Sequence, residues 1–122
     1  MIGRRELGFV EHNHEIQATR HPQVAALPDV RPDTWAGIAQ LHRSSMAPGG
    51  LGTATRELIA LAISVVEGCD GCIAAHAGGA ARHDATRRQV AEALGVTLLL
   101  DGGPASVLAP RALAAFDEFS TN

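Results

Sequence analysis

The only two cysteines of the chain, Cys69 and Cys72, stand three residues apart, and His76 follows Cys72 at the next helical turn. Residues three or four positions apart share one face of a helix, so the thiols lie within disulfide reach and the imidazole lies beside Cys72. A neutral histidine takes a thiol proton, and a protonated one stabilises a thiolate. The spacing predicts a redox-active thiol pair with its own acid/base and leaves open which sulfur attacks first.

Groups near this cysteine pair have opposite effects on the stability of a thiolate. We expect a helix to begin in or beside the two cysteines, and the unpaired N–H groups of a helix N-terminus favour thiolate. The carboxylates of Asp70 and Glu67 lie close in sequence and oppose a second negative charge. The helix terminus alone is therefore a weak source of activation, and His76 becomes the main candidate for it.

Glu57 lies twelve residues before Cys69, at the head of an apolar stretch. If the helices on either side of Gly68 form an antiparallel hairpin, Glu57 and His76 come to about one helical turn of each other along the axis. A carboxylate at that distance orients the imidazole, directly or through a water, and makes it a better base. The alternative is that Glu57 only occupies the start of a helix.

The same residues allow a competing interpretation as a metal site. The two cysteines and His76 are three zinc ligands, and Glu57 would complete a mixed site, but structural zinc usually has four ligands and the chain has no second CxxC or HxxxH. His12 and His14 flank Asn13 without a third ligand nearby, which favours a polar, solvated segment. We therefore predict no metal and no bound cofactor.

The pattern of apolar residues predicts one all-α domain over residues 1–122. Residues 1–32 contain three prolines and are poorly defined. The chain is predicted to be helical from Asp33, with Asp33 or Thr34 as the cap, up to the Pro48-Gly49-Gly50 break. A second, after Gly52, runs to about Glu67 and is apolar almost all round. Because such a helix requires burial on several sides, we expect a homo-oligomer.

Glycine, proline and acidic residues predict where the remaining helices begin and end. Gly68 suits the left-handed position that ends the second helix. The third helix, which runs to about Ala81, has a body of small residues that favours close helix packing over space for a ligand.

Asp84 is expected to cap a fourth helix, and Gly95 is a weak point in it. Pro104 starts the last helix, and Pro110 either starts a new helix or kinks one. In that segment three side chains are predicted to point inward: Leu113, Phe116 and Phe119.

Composition excludes several classes of function. The formal charge is −3 and the basic residues are ten arginines without a basic run, so nucleic-acid binding is not expected. The longest apolar stretch, residues 58–66, is too short to span a bilayer, and the N-terminus has no signal-peptide pattern. A lone CxxC fits a reducing compartment, so we predict a cytoplasmic protein.

Taken together, the motif E-x11-C-D-G-C-I-A-A-H of residues 57–76 resembles the alkylhydroperoxidase D-like branch of the carboxymuconolactone decarboxylase family. The longer string R-E-L-I-A-L-A-I-S at residues 56–64 also looks like the core of that family, as do G-G-P-A at 102–105 and A-P-R-A-L at 109–113. The resemblance covers about residues 45–120. The best-studied members carry a further histidine between the cysteines, where this chain has Gly71.

The resemblance implies an alkylhydroperoxidase D-like helical bundle with a central antiparallel hairpin, assembled into trimers or hexamers. It implies a thiol peroxidase-like activity in which Cys69 and Cys72 are the redox pair, His76 is the base and Glu57 is the relay carboxylate. Such proteins act on hydroperoxides or a partner peroxiredoxin, and a thiol or lipoyl-bearing protein restores the dithiol.

Two alternatives stay open. The first is the other chemistry of the family, decarboxylation or a related reaction on a small lactone acid, which does not rest on a cysteine pair. The second is a non-enzymatic helical module whose thiols sense redox state or bind metal. The cysteine pair favours the peroxidase-like activity over both.

Overall fold

The structure is a computed structural model that describes residue 13 and residues 26–121, and the regular secondary structure within them is α-helical throughout. The all-α prediction is confirmed. Residues 26–30 are helical, and five helices follow with these bounds: α1 Pro32–Met46, α2 Thr53–Glu67, α3 Asp70–Arg82, α4 Arg87–Asp101 and α5 Gly103–Ser120. Each begins within a few residues of the predicted start.

Helices α2 to α5 form a bundle of two antiparallel hairpins that lie side by side. α2 packs on α3 and α4 on α5, and the hairpins meet through α3 against α5 and α2 against α4. Arg111 of α5 contacts Asp70 of α3, 41 residues earlier, and Phe119 lies beside Gly78 at the same separation, so α3 and α5 run in the same direction. α1 packs on α2 at the edge of the bundle.

A glycine in a positive-φ conformation links the helices of each hairpin. Gly68 ends α2 with φ 67° and ψ 31°, as predicted, and its N–H bonds back to the last turn of the helix. Gly102 links α4 to α5 with φ 63° and ψ −123°, which is a conformation open to glycine and costly for residues with a Cβ. The short links bring the helices of each pair into direct contact.

The core lies where the two hairpins meet and is made largely of alanine with a few larger side chains. Leu61 and Val65 of α2 are fully buried, as is Val90 of α4, and Phe116 of α5 is nearly so. Leu113 and Phe119 are half-buried against this core, in agreement with the predicted inward face of α5. The alanines allow close approach of the helices, and this holds the site residues of α2 and α3 at fixed separation.

One prediction about α4 is wrong, and one of the two alternatives for Pro110 in α5 is excluded. Asp84 does not cap α4; it adopts φ 64° in the turn after α3. Thr86 is the cap, because its side chain accepts the N–H of Gln89 while the Gln89 side chain accepts the N–H of Thr86. Pro110 does not start a new helix, since α5 continues through it. It lies on the exposed side of α5, where water can solvate the backbone carbonyl that loses its partner.

The second helix is buried on one face only within a single chain. Glu57, Leu61, Ser64 and Val65 point inward, whereas three large apolar side chains of the opposite face stay about half-exposed: Ile59, Ile63 and Val66. α1 has no buried residue, and near the end of α4 two leucines, Leu99 and Leu100, are 82% and 80% exposed. The predicted burial on several sides is therefore not met by one chain, and the predicted homo-oligomer stays a prediction.

Two observations concern other expectations. Across the described residues 13 and 26–121, each helix is too short or too polar to span a membrane. Asn13 is buried and its side-chain amide donates to the carboxylate of Glu118, with Nδ2 3.0 Å from Oε2, so the prediction of a solvated segment is wrong for Asn13. His12 and His14 lie outside the described residues.

Candidate active site

The two cysteines lie at the turn between α2 and α3. Cys69 is the N-cap of α3, and its sulfur accepts the backbone N–H of Cys72, with N and Sγ 3.2 Å apart. Cys69 and Cys72 are joined as a disulfide, with their Cα atoms 5.2 Å apart. The cysteine pair therefore stands at the helix N-terminus as predicted. Because a backbone N–H points at Sγ of Cys69, charge on that sulfur is stabilised when the pair is reduced.

Glu57 and His76 are in direct contact across the first hairpin. Oε2 of Glu57 lies 2.9 Å from Nδ1 of His76. Because a carboxylate oxygen accepts, Nδ1 donates and Nε2 keeps the free lone pair of the ring. Glu57 is 7% exposed, and the His76 side chain is 23% exposed. The predicted contact is thus present without an intervening water, and it fixes both the tautomer and the orientation of the imidazole.

His76 shares a cavity of about 310 Å³ with the disulfide. Its wall consists of four residues of α2 together with the two cysteines and the histidine: Ala60, Ile63, Ser64, Glu67, Cys69, Cys72 and His76. The cavity opens to the surface, and both sulfurs are half-buried. A small molecule in this cavity therefore meets the sulfurs and the imidazole together.

Two polar residues of this region were given no role by the sequence analysis, although both lie in strings that resemble the family. Arg111 of α5 donates to Asp70, with Nη2 3.1 Å from Oδ1, so the carboxylate expected to oppose a thiolate is paired with a cation. Ser64 lines the cavity, and its hydroxyl donates to the carbonyl of Ala60 at 2.6 Å. Arg111 lies 41 residues from its partner, and only the packing of α5 on α3 brings them together.

The positions of Cys69, Cys72, His76 and Glu57 bear on the alternative interpretation as a metal site. In residue 13 and residues 26–121, no group of three or more histidine, cysteine, aspartate or glutamate side chains is placed to hold a metal ion. The cysteine sulfurs are bonded to each other, and Nδ1 of His76 faces Glu57. The geometry groups these four residues as a disulfide with a hydrogen-bonded Glu57–His76 pair beside it.

Comparison with known proteins places this fold and site in a family. A sequence model of the carboxymuconolactone decarboxylase family matches residues 32–118, which include α1 and most of the bundle. The chain belongs to the carboxymuconolactone decarboxylase family. The resemblance read from residues 57–76 is confirmed at the level of the family.

The fold of a solved family member agrees with this assignment. The chain is similar to the crystal structure of a carboxymuconolactone decarboxylase family protein from Legionella pneumophila, with 34% sequence identity and a TM-score of 0.87. The similarity covers 90% of this chain and 98% of that protein. The helical bundle described above is therefore the family fold over nearly its whole length.

Two proteins without an assigned function are also similar to this chain. An uncharacterised protein of Cupriavidus necator is 39% identical over 95 residues, which is 78% of this chain and 84% of that protein. An uncharacterised protein encoded in the cox locus of Paracoccus denitrificans is 40% identical over 78 residues, or 64% of this chain and 70% of its own length. These relatives extend the family assignment and do not specify a reaction.

Proposed function

We propose that this member of the carboxymuconolactone decarboxylase family is a thiol-dependent hydroperoxide reductase. One observation carries the proposal: the Cys69–Cys72 disulfide shares a cavity with His76, and buried Glu57 holds the other side of that imidazole. A reversible thiol pair, a base and an orienting carboxylate are the groups that two-electron reduction of a peroxide requires.

The first step forms a sulfur–oxygen bond. One cysteine of the reduced pair loses its proton to Nε2 of His76, and the thiolate attacks an oxygen of the hydroperoxide. The O–O bond breaks, the alkoxide leaves, and the proton from His76 converts it to an alcohol. The cysteine is oxidised to a sulfenic acid and the peroxide is reduced by two electrons.

The second step restores the disulfide. The other cysteine attacks the sulfenic sulfur, the S–S bond forms and the S–O bond breaks, and hydroxide leaves as water with the proton of the attacking thiol. An external dithiol or two monothiols then reduce the Cys69–Cys72 disulfide by exchange and become a disulfide themselves. We propose a thiol or lipoyl-type donor for this step, and a hydroperoxide or a partner peroxiredoxin as the oxidant.

Within this cycle Glu57 does not contact the peroxide. It accepts from Nδ1 of His76, keeps Nε2 free to take a proton, and stabilises the imidazolium that forms when the proton arrives. The absence of a histidine at Gly71 leaves His76 as the imidazole that lines the cavity. We therefore assign the proton transfers of both steps to His76 alone.

The test is thiol-dependent consumption of an alkyl hydroperoxide by wild type, Cys69→Ser and Cys72→Ser, with alcohol and donor disulfide measured as products. We expect both variants to lose turnover, because each lacks one half of the disulfide. Dimedone labelling, which traps sulfenic acid, should mark the variant that retains the attacking cysteine and so identify it.

Three results would contradict the proposal. Turnover by both serine variants at the wild-type rate would show that the pair is not redox-active in the reaction. Conversion of a small lactone acid that survives alkylation of both thiols would favour the decarboxylase chemistry instead. One equivalent of zinc per chain in the purified protein would favour a metal-binding role.

A further inference from the structure

Gly79 lies against the carboxylate of Glu57. A Cβ built on Gly79 would lie 2.7 Å from Oε1 of Glu57, and nearer still to its Cδ and Oε2. Carbon and oxygen atoms in ordinary contact stay well beyond 3 Å apart, so an alanine here and the observed carboxylate cannot occupy their positions together. Gly79 is buried and lies three residues after His76, on the face of α3 that meets α2.

The carboxylate is nearly buried and is hydrogen-bonded to the imidazole. Glu57 is 7% exposed, and its Oε2 is the atom that contacts His76. A side chain at Gly79 would therefore displace the carboxylate from Nδ1 of His76. We propose that Gly79 is a positioning residue: its missing side chain forms the recess that seats Glu57 against His76.

This explains one part of the small-residue sequence of α3 that close packing alone does not. Gly78 is also buried, yet a Cβ there would meet only Nη1 of Arg82 at 3.1 Å, at the end of a flexible side chain, and the ring of Phe119 at 3.6 Å and beyond. The two adjacent glycines therefore differ in what a methyl group would touch. A methyl group on Gly78 would touch the end of Arg82, which lies outside the candidate site, whereas one on Gly79 would touch the carboxylate of Glu57, which belongs to it.

The inference rests on the proposed function for its catalytic meaning, but its geometric claim is tested without turnover. Gly79→Ala is compared with Gly78→Ala, which adds the same methyl group to the same helix. The ¹⁵N and ¹H NMR signals of the His76 ring report the hydrogen bond at Nδ1. We expect Gly79→Ala to shift them to the positions found in Glu57→Ala, and Gly78→Ala to leave them at the wild-type positions.

The kinetic arm uses the pH profile of hydroperoxide reduction. Loss of an oriented general base lowers such rates by about a hundredfold, so the rate of Gly79→Ala should fall to that of Glu57→Ala and show the same pH profile. Gly78→Ala should keep the wild-type profile. A purely structural role for Gly79 would lower the amount of folded protein without changing the pH profile.

A double variant distinguishes a clash with Glu57 from a general loss of folding. In Glu57→Ala the carboxylate is gone, so adding Gly79→Ala should not lower the midpoint of thermal unfolding, which the better helix propensity of alanine favours, and should leave the imidazole signals where Glu57→Ala has them. An additive loss of stability in the double variant, or wild-type imidazole signals in Gly79→Ala, would overturn the proposal. Absence of peroxide turnover in wild type would instead count against the proposed function and leave the geometric result standing.

Discussion

The two hairpins of the bundle are built alike and differ in the charged pair that joins their helices. Each is an antiparallel pair linked by a positive-φ glycine, Gly68 or Gly102. Glu57 meets His76 across the first at 2.9 Å, in a nearly buried position. Arg87 meets Asp117 across the second at the same distance, with the two side chains 65% and 41% exposed.

The two pairs differ in chemistry for two reasons. One contains an imidazole and the other a guanidinium, and the first pair is nearly buried whereas the second is exposed. Hydrogen bonding to Asp117 raises the pKa of Arg87 above its ordinary value, so this pair keeps its proton at every working pH and only joins two helices. The imidazole of His76 has a second ring nitrogen, Nε2, that is not bonded to Glu57, and His76 faces a cavity that holds a disulfide. The comparison teaches that two hairpins of the same helical design differ in the basic residue of the pair and in whether the pair lies beside a cavity.

The start of the last helix in each hairpin differs in a similar way. α3 begins with Cys69 as its cap, so a sulfur receives the N–H of the first turn. α5 begins after Gly102 without a side-chain cap and has a proline in its first turn. Only the first start places a sulfur atom at the positive end of a helix.

The largest expected effect comes from changing the pair in the first hairpin. Glu57→Gln keeps the shape of the side chain and removes the charge that stabilises a His76 imidazolium. We expect the rate of hydroperoxide reduction near neutral pH to fall by about a hundredfold, as for the loss of general acid–base catalysis. Because His76 then takes the thiol proton less readily, we expect the pH–rate profile to move toward higher pH. Steady-state rates across pH measure this, with circular dichroism to verify the fold.

The matched control is Asp117→Asn in the second hairpin, which removes the corresponding charge. Its rate and pH profile should equal those of wild type. If both variants lose activity to the same extent, the two pairs are equivalent supports of the fold and the distinction drawn between the hairpins is wrong.

Substitution of the two linking glycines should have an effect of intermediate size, on the free energy of unfolding. Gly68→Ala places a Cβ in a left-handed conformation and should cost about 1 to 2 kcal/mol of unfolding free energy. Gly102→Ala should cost more, because φ 63° with ψ −123° lies outside the region that alanine adopts without strain. Chemical denaturation measures both.

The activities of these variants sharpen the comparison further. Gly68 precedes Cys69 directly, so its variant should also lose peroxide turnover per folded molecule, whereas folded Gly102→Ala should retain it. Equal specific activities would mean that the link of the first hairpin does not position the sulfur pair.

The smallest expected effect is that of Arg87→Gln on stability. The pair with Asp117 is exposed and screened by water and salt, so the unfolding midpoint should hardly change and the small change should vanish at high salt. Because the pKa of Arg87 is raised, any contribution of its charge is present throughout the neutral range and is lost only in strong alkali. A midpoint difference that appears between neutral and mildly alkaline pH would contradict this.

Local patterns in the sequence are enough to predict the helices and most of the candidate site. Gly68 predicts the end of α2, and the spacing of Cys69, Cys72 and His76 predicts a shared face because helical geometry relates neighbours at fixed intervals. The Glu57 contact also follows, since the two-residue link of Gly68 and Cys69 leaves little freedom in how the hairpin closes. The cap of α4 was misassigned because Asp84 and Thr86 both suit a cap, and only the backbone conformation of the turn selects Thr86.

The sequence by itself determined the all-α fold, the family, and the grouping of a thiol pair with a histidine, because each depends on residues close together in the chain. Only the tertiary structure decided that Arg111 pairs with Asp70, that Gly79 abuts the Glu57 carboxylate, and that one face of α2 stays exposed. These features depend on how helices far apart in sequence pack together. Side-chain volume and helix direction fix such contacts, and neither is encoded in local spacing.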